Sequence, residues 1–154
     1  MGALPSPLPS GEVEISEAQA ALPASSFALV GGVIVESLTA AQASQTALLR
    51  TACATAITGG FTSNALGSTY TYGSSVTDQA NLNTVASNPN GGSLWCEAGG
   101  VWALKAHTQA EAQAVLAAFV AWLNSCQSQL VTLTGEVTAA TTVAAVQAVV
   151  WVNP

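Results

Sequence analysis

The sequence predicts an α+β fold, with helices packed around a central β-hairpin and preceded by an extended arm and a small β unit. Three observations predict it. Residues 38–58 and the stretch after Thr108 carry apolar side chains at helical spacing. Each opens on a threonine followed three residues later by Gln or Glu, Thr39 with Gln42 and Thr108 with Glu111, the pattern of a capping box. Between them, Leu94-Trp95-Cys96 and Val101-Trp102-Ala103-Leu104 flank Gly99-Gly100, a two-residue hairpin signature. Finally, prolines at every second position, Pro5, Pro7 and Pro9, favour an extended arm with no core of its own. At 154 residues the chain is long enough to bury a core without metal or disulfide staples.

In chain order, the arm covers residues 1–11 and is either disordered or laid along a partner. A small β-rich unit follows at 12–37. There Glu12-Val13-Glu14-Ile15 alternates as a strand does, Ser16 and Gln19 match a capping box ahead of Pro23, and Phe27-Ala28-Leu29-Val30 and Val33-Ile34-Val35 flank Gly31-Gly32 as a hairpin. Residues 38–154 form the α+β domain. Its first helix, 38–58, places Leu49, Cys53 and Ile57 on one face with Ala52 and Ala56 beside them, and Gly59-Gly60 stop it. Residues 60–75, dominated by Gly, Ser, Thr and Asn, predict turns, because short polar side chains bond the nearby backbone.

Thr77 or Asp78 is expected to cap a short helix through Ala80, Leu82 and Val85, followed by a loop at 88–92. In the hairpin the turn sets Ala98 opposite Val101, Glu97 opposite Trp102 and Trp95 opposite Leu104. Trp95, Trp102 and Leu104 then share one face, with Cys96 and Ala103 on the other. The helix opened by Thr108 carries Val115, Leu116, Phe119, Val120, Leu123, Cys126 and Leu130, and is expected to stop before Gly135. Thr138 is expected to cap a last helix through Val150. Its valines, Val143, Val146 and Val150, leave a strand as the rival. Trp151 is expected to pin that helix down.

Charge narrows the function. Only 6% of residues are charged, eight acids against the two bases Arg50 and Lys105, for a net charge of -6, whereas a soluble protein averages about 25% charged. No cationic footprint exists to displace counterions, so no nucleic acid and no anionic membrane surface is expected as a partner. No uninterrupted apolar run approaches the ~18 residues of a bilayer span, and no basic leader suggests secretion. A surface of Ser, Thr, Gln, Asn and Ala loses little ion hydration when covered, which favours a place in a multi-subunit assembly.

Catalytic groups do not converge in the sequence, and no enzyme is expected. A nucleophile needs a base within reach. The one histidine, His107, precedes a helix cap, where bonding to backbone is its plain role, and no G-x-S-x-G elbow or phosphate loop occurs. Glu97, Glu111 and Glu136 lie in separate elements rather than as a carboxylate pair. Cys53, Cys96 and Cys126 are widely spaced, contain no CxxC, and read as buried thiols, so neither a metal nor a cofactor is expected. The aromatics are more telling. Tyr70 and Tyr72 fall in the glycine- and serine-rich loop, where binding residues are common. Trp95 and Trp102 either cover the long helix as core or form a contact surface. In the arm, Leu4, Pro5, Pro7, Leu8 and Pro9 are candidate contacts for a partner's groove or sheet edge.

Residues 57–109 also carry a string, Ile57-Thr58-Gly59-Gly60-Phe61-Thr62-Ser63-Asn64-Ala65-Leu66-Gly67-Ser68. After it come Tyr72-Gly73-Ser74-Ser75, Asp78-Gln79-Ala80-Asn81-Leu82, Trp95-Cys96, Gly100-Val101-Trp102 and His107-Thr108. The whole resembles a phage tail-associated domain family of unknown function with the pattern GFxSxALG…YxS…DQxNL…WC…GxW…HT, over roughly residues 39–150. Tyr70 departs from it, standing where that family has His or a polar residue. The resemblance implies a bacteriophage tail protein, made in the host cytoplasm and resident in the virion tail, that binds or attaches the tail fibre without catalysis. Tail-fibre and baseplate proteins are the implied partners. A tail-fibre assembly chaperone and a receptor- or glycan-binding module of the fibre are the alternatives. The family has no established catalytic residues to carry over. The Asp78-to-Leu82 stretch reads first as a device that organises the preceding loop, with Asp78 at a helix start and Gln79 and Asn81 reaching back to residues 60–75, and second as a partner site.

Overall fold

A computed structural model describes residues 20, 24–30 and 33–154. The arm with Leu4, Pro5, Pro7, Leu8 and Pro9, the strand at 12–15, the turn at 16–19 and the Gly31-Gly32 link lie outside the described residues. The fold is α+β. A 3-10 turn (Ala24–Ser26) leads into β1 (Phe27–Val30), β2 (Val33–Glu36) and α1 (Leu38–Thr58). Then come β3 (Phe61–Ser63), β4 (Tyr70–Tyr72), α2 (Val76–Ser87), β5 (Gly92–Ala98), β6 (Val101–His107), α3 (Gln109–Ala139) and α4 (Val143–Ala148). The chain divides into two compact units, Met1–Leu49 with Leu133–Val150, and Arg50–Thr132 with Trp151–Pro154.

In the first unit, β1 and β2 pair antiparallel with Val30 opposite Val33, as the hairpin expectation had it. Ala41, Leu49, Leu133, Val137, Val143 and Val146 are buried. Amide side chains tie their elements together. Gln42 Nε2 donates to the carbonyls of Val137, Thr138 and Ala140 at 3.2, 3.3 and 3.2 Å. Gln45 Nε2 donates to the Val149 carbonyl at 2.7 Å, and Gln147 Nε2 to the buried Ser26 hydroxyl at 3.0 Å. With so few ions available, neutral amides satisfy the helix-end carbonyls that lysine or arginine would otherwise cover.

Three caps differ from expectation. α1 is capped by Ser37, whose hydroxyl accepts from Ala40 N–H at 3.2 Å, so Thr39 lies inside the helix and Gln42 is free to reach the end of α3. α4 is capped by Thr142, whose side chain accepts from Ala145 N–H at 3.1 Å. Thr138 instead sits in α3 and donates to the Thr134 carbonyl. The third cap, on α2, belongs to the second unit and is described with the site. In the last segment helix prevails over strand because Val143 and Val146, three apart, are both buried. α3 also runs through Gly135 rather than stopping before it. A glycine inside a helix costs about 1 kcal/mol relative to alanine. Burial of Leu133 and Val137 on either side of it, with the Gln42 bonds beyond, offsets that cost. By length and composition, α3 is the one described helix long and apolar enough to cross a membrane, although no uninterrupted apolar run of that length lies within it.

The second unit is built on a four-stranded antiparallel sheet, β3-β4-β5-β6. The β5–β6 register sets Ala98 opposite Val101, Glu97 opposite Trp102 and Trp95 opposite Leu104, as the two-residue turn requires. Within 60–75, where turns were expected, the chain does turn between β3 and β4, with Gly67 N–H donating to the Asn64 carbonyl at 2.9 Å, but the segments on either side of that turn are strands. Each is three residues long, and Phe61 lies opposite Tyr72 and Ser63 opposite Tyr70. One sheet face joins a core of Phe61, Tyr72, Leu94 and Cys96 with Leu82 and Ala86 of α2 and Ala112, Val115 and Phe119 of α3. Phe61 stacks near Tyr72 at 5.7 Å and against Phe119 at 5.3 Å between centroids. Of the face expected on α1, Cys53 is buried and Ile57 packs against this core.

Two glycines predict opposite outcomes. Nothing lies within 4 Å of a Cβ added at Gly135, so Gly135→Ala should raise stability by roughly 0.5–1 kcal/mol, read as a higher midpoint in thermal or urea unfolding. Gly91 has φ +68°, and a Cβ there would collide with the His107 carbonyl oxygen. Gly91→Ala should lower the same midpoint by more than Gly135→Ala raises it.

Candidate functional site

The cap of α2 sets the site's geometry. Ser75, rather than Thr77 or Asp78, is the N-cap, and Asp78 is the third helical residue of a full capping box. Asp78 Oδ2 accepts from Ser75 N–H at 3.0 Å and from the Ser75 hydroxyl at 2.6 Å. The carboxylate packs so close to the chain at Gly73 that an added Cβ would lie 2.6 Å from Oδ2. Next to it, the buried Ser74 hydroxyl donates to the Ile57 carbonyl at 2.6 Å and accepts from Gly60 N–H at 2.8 Å. Gln79 Nε2 donates to the Ser74 carbonyl at 2.8 Å. Ser74, Asp78 and Gln79 therefore stitch the end of α1, the end of β4 and the start of α2 together, the loop-organising role expected of this stretch. Asn81 takes no part in it and is exposed.

His107 ends β6 and is buried. Its Nδ1 lies 2.9 Å from the Lys105 carbonyl oxygen, which can only accept, so Nδ1 carries the proton. Nε2 is then the acceptor for the Tyr72 hydroxyl at 2.9 Å. Burial, with smaller contributions from Cys96, Tyr70 and Glu111, pushes the Tyr72 hydroxyl up to about 12. At the neighbouring cap of α3, Thr108 and Glu111 form the expected reciprocal box. Thr108 N–H and hydroxyl donate to Glu111 Oε2 at 2.7 and 2.8 Å, and hold that carboxyl below its ordinary value.

The two tyrosines therefore do not stand on a loop. Both belong to β4. Tyr72 is buried with its hydroxyl engaged, and Tyr70 is partly buried against the core with the Lys105 ammonium 5.2 Å from its ring centre. The tryptophans are the reverse of a core pair. Trp95 is 58% exposed, Trp102 50% and Leu104 55%. These three side chains make an apolar band on the face of the sheet opposite the core.

A cleft of about 320 Å³ opens beside this band. β4 pairs with β5 only at Thr71–Glu97 and Tyr72–Cys96, so residues 92–95 of β5 have β6 on one side and no strand on the other. α2 faces that gap. Leu82, Leu94 and Tyr72, all buried, line it. Asp78 and Asn81 line it from α2, and Ser93, Trp95 and Leu104 from the hairpin. Thr84 and Ser93, which also line it, were not among the residues singled out from the sequence. No local signal marks them, because the cleft exists only where β4 ends short of β5.

A second cleft, of about 390 Å³, lies between the end of α1 and two tryptophans. Trp122 Nε1 donates to the Ala56 carbonyl at 3.1 Å, and Trp151 Nε1 to Asn153 Oδ1 at 2.7 Å. Trp151 thus lines a wall with Trp122, a different role from the helix anchor expected. Cys53, Cys96 and Cys126 are buried free thiols, and burial raises all three. Cys53 Sγ lies 3.6 Å from the Cys126 carbonyl oxygen. Among the described residues, no three His, Cys, Asp or Glu side chains come together as a metal site.

A family model for a domain of unknown function matches residues 40–150. The chain belongs to that family, DUF4376. No curated protein and no solved structure matches the chain. The DUF4376 match takes in the whole four-stranded sheet, the cap of α2 and every residue of the first cleft. The exposed tryptophan band is therefore part of the family domain rather than of a flanking segment.

Two outcomes follow. The Tyr72 hydroxyl is protonated more firmly in the folded chain than in the unfolded one. Its stabilisation is complete below about pH 10, the ordinary value, and is lost as pH rises towards about 12. Tyr72→Phe should lose about 1–2 kcal/mol at neutral pH by leaving His107 Nε2 without its donor, and should unfold with a weaker dependence on pH in that alkaline window. Trp102→Ala, by contrast, should move the thermal midpoint little, since half of that side chain is already in water.

Proposed function

We propose that this chain is a bacteriophage tail protein that binds or attaches the tail fibre by surface contact and catalyses no reaction. The observation that carries the reading is the band of Trp95, Trp102 and Leu104, three large apolar side chains left at least half exposed on a sheet face. Tryptophan in such a setting desolvates a large area at small conformational cost when a partner covers it. The rest of the surface suits that use, with two basic and eight acidic residues in the whole chain. What ties the partner to a phage fibre is the resemblance carried by residues 57–109. The partner is taken as a fibre or baseplate protein, and the place of action as the virion tail.

Quantitative mass spectrometry of purified particles is the test. A structural tail component should appear in them at a fixed ratio to the fibre subunit. Absence from particles, with fibreless particles on deletion, would instead assign the chain to fibre assembly as a departing chaperone. The double variant Trp95→Ala/Trp102→Ala should fold normally and weaken binding to purified fibre by about 30-fold or more, the loss expected of hot-spot residues. Unchanged fibre binding by that variant would reject the band as the contact surface.

A further inference from the structure

We propose that the cleft between α2 and the unpaired edge of β5 is a binding site for a neutral saccharide. Its volume, about 320 Å³, lies at the lower end of the ~300–1,000 Å³ common for small-molecule sites, and accommodates a ligand of one or two sugar rings. Its chemistry is two-sided. On the hairpin side stand the exposed indole of Trp95 and the Leu104 side chain, a surface on which the C–H face of a pyranose can lie. On the α2 side stand Asp78 and Asn81, planar groups able to bond the hydroxyls of one ring in pairs.

Those polar groups have capacity to spare. The capping box uses Asp78 Oδ2, and among the described residues the side chains of Asn81 and Ser93 have no protein hydrogen-bond partner. The fold also holds them still. The Ser75–Asp78 box and the Gln79–Ser74 bond fix the first turn of α2, while Trp95 sits on a strand in register with Leu104. Donors, acceptors and stacking surface are therefore set before a ligand arrives. Charge selects the class. Asp78 is the only ionisable side chain lining the cleft apart from the buried Tyr72, so a phosphorylated or carboxylated ligand would be repelled while a hydroxylated neutral one is not.

This site shares Trp95 and Leu104 with the fibre-binding band and adds Asp78, Asn81 and Ser93, whereas Trp102 belongs to the band alone. The full chain, labelled with ¹⁵N, would be titrated with glucose, galactose, rhamnose and N-acetylglucosamine and with short oligosaccharides of each. Saturable shifts of the Trp95 indole and Asn81 side-chain amide signals are expected with at least one of them. Trp95→Ala and Asn81→Ala should each weaken that binding by about tenfold, the scale of one aromatic stack or one paired hydrogen bond. Trp102→Ala should leave it unchanged while still weakening the fibre interaction. Absence of a saturable shift with every saccharide, or equal loss in Trp102→Ala and Trp95→Ala, would overturn the assignment. So would shifts with a quaternary ammonium probe such as choline in place of the sugars.

Discussion

In an antiparallel sheet successive side chains alternate between faces, so fixing one face fixes the other. In the second unit the inner face is fixed by a buried pair. The Tyr72 hydroxyl donates to His107 Nε2, and the His107 Nδ1–H is held by the Lys105 carbonyl. These two side chains come from non-adjacent strands, β4 and β6, with Cys96 of β5 buried on the same face. A slip of one residue in β4 would expose the Tyr72 hydroxyl, one in β6 would expose the His107 imidazole and turn Trp102 inward, and one in β5 would exchange Cys96 for Trp95. Outward projection of the tryptophans is thus a consequence of the polar bond on the other side of the sheet.

Scarcity of charge shapes the remaining interactions. With Arg50 and Lys105 the only bases, carboxylates are used locally, at helix starts, where backbone N–H groups neutralise them. Asp78 serves α2 in this way and Glu111 serves α3. Helix-end carbonyls are covered by glutamine amides, as Gln42 shows by meeting three of them. Neutral amides and hydroxyls are cheaper to desolvate than ions. The same habit that holds the fold together leaves a surface that is easily covered by another molecule.

The first cleft arises from a mismatch in element length. β4 stops at Tyr72 because Gly73 admits the Asp78 carboxylate against the backbone and Ser75 starts a helix. β5, seven residues long, runs on past it. The uncovered edge, the helix start beside it and the exposed Trp95 make one polar-and-apolar concavity out of elements that each have an ordinary structural reason.

Local chemistry was legible in the sequence, and it determined a good deal. The β5–β6 register follows from a two-residue turn, the Thr108–Glu111 box from residues three apart, and the burial of Leu49 and Cys53 from helical spacing. Each of these is settled by neighbours within a few residues. What only the tertiary structure decided depends on contacts between distant segments. β3 and β4 are too short and too polar to announce themselves, and are held by Phe61, which packs against both Tyr72 and Phe119. α3 crosses Gly135 because Leu133 and Val137 are buried on either side of it. Which hairpin face meets the core was open in the sequence, since both carry apolar residues. It was settled by pairing a hydroxyl with an imidazole 35 residues away, a polar demand that no local pattern encodes.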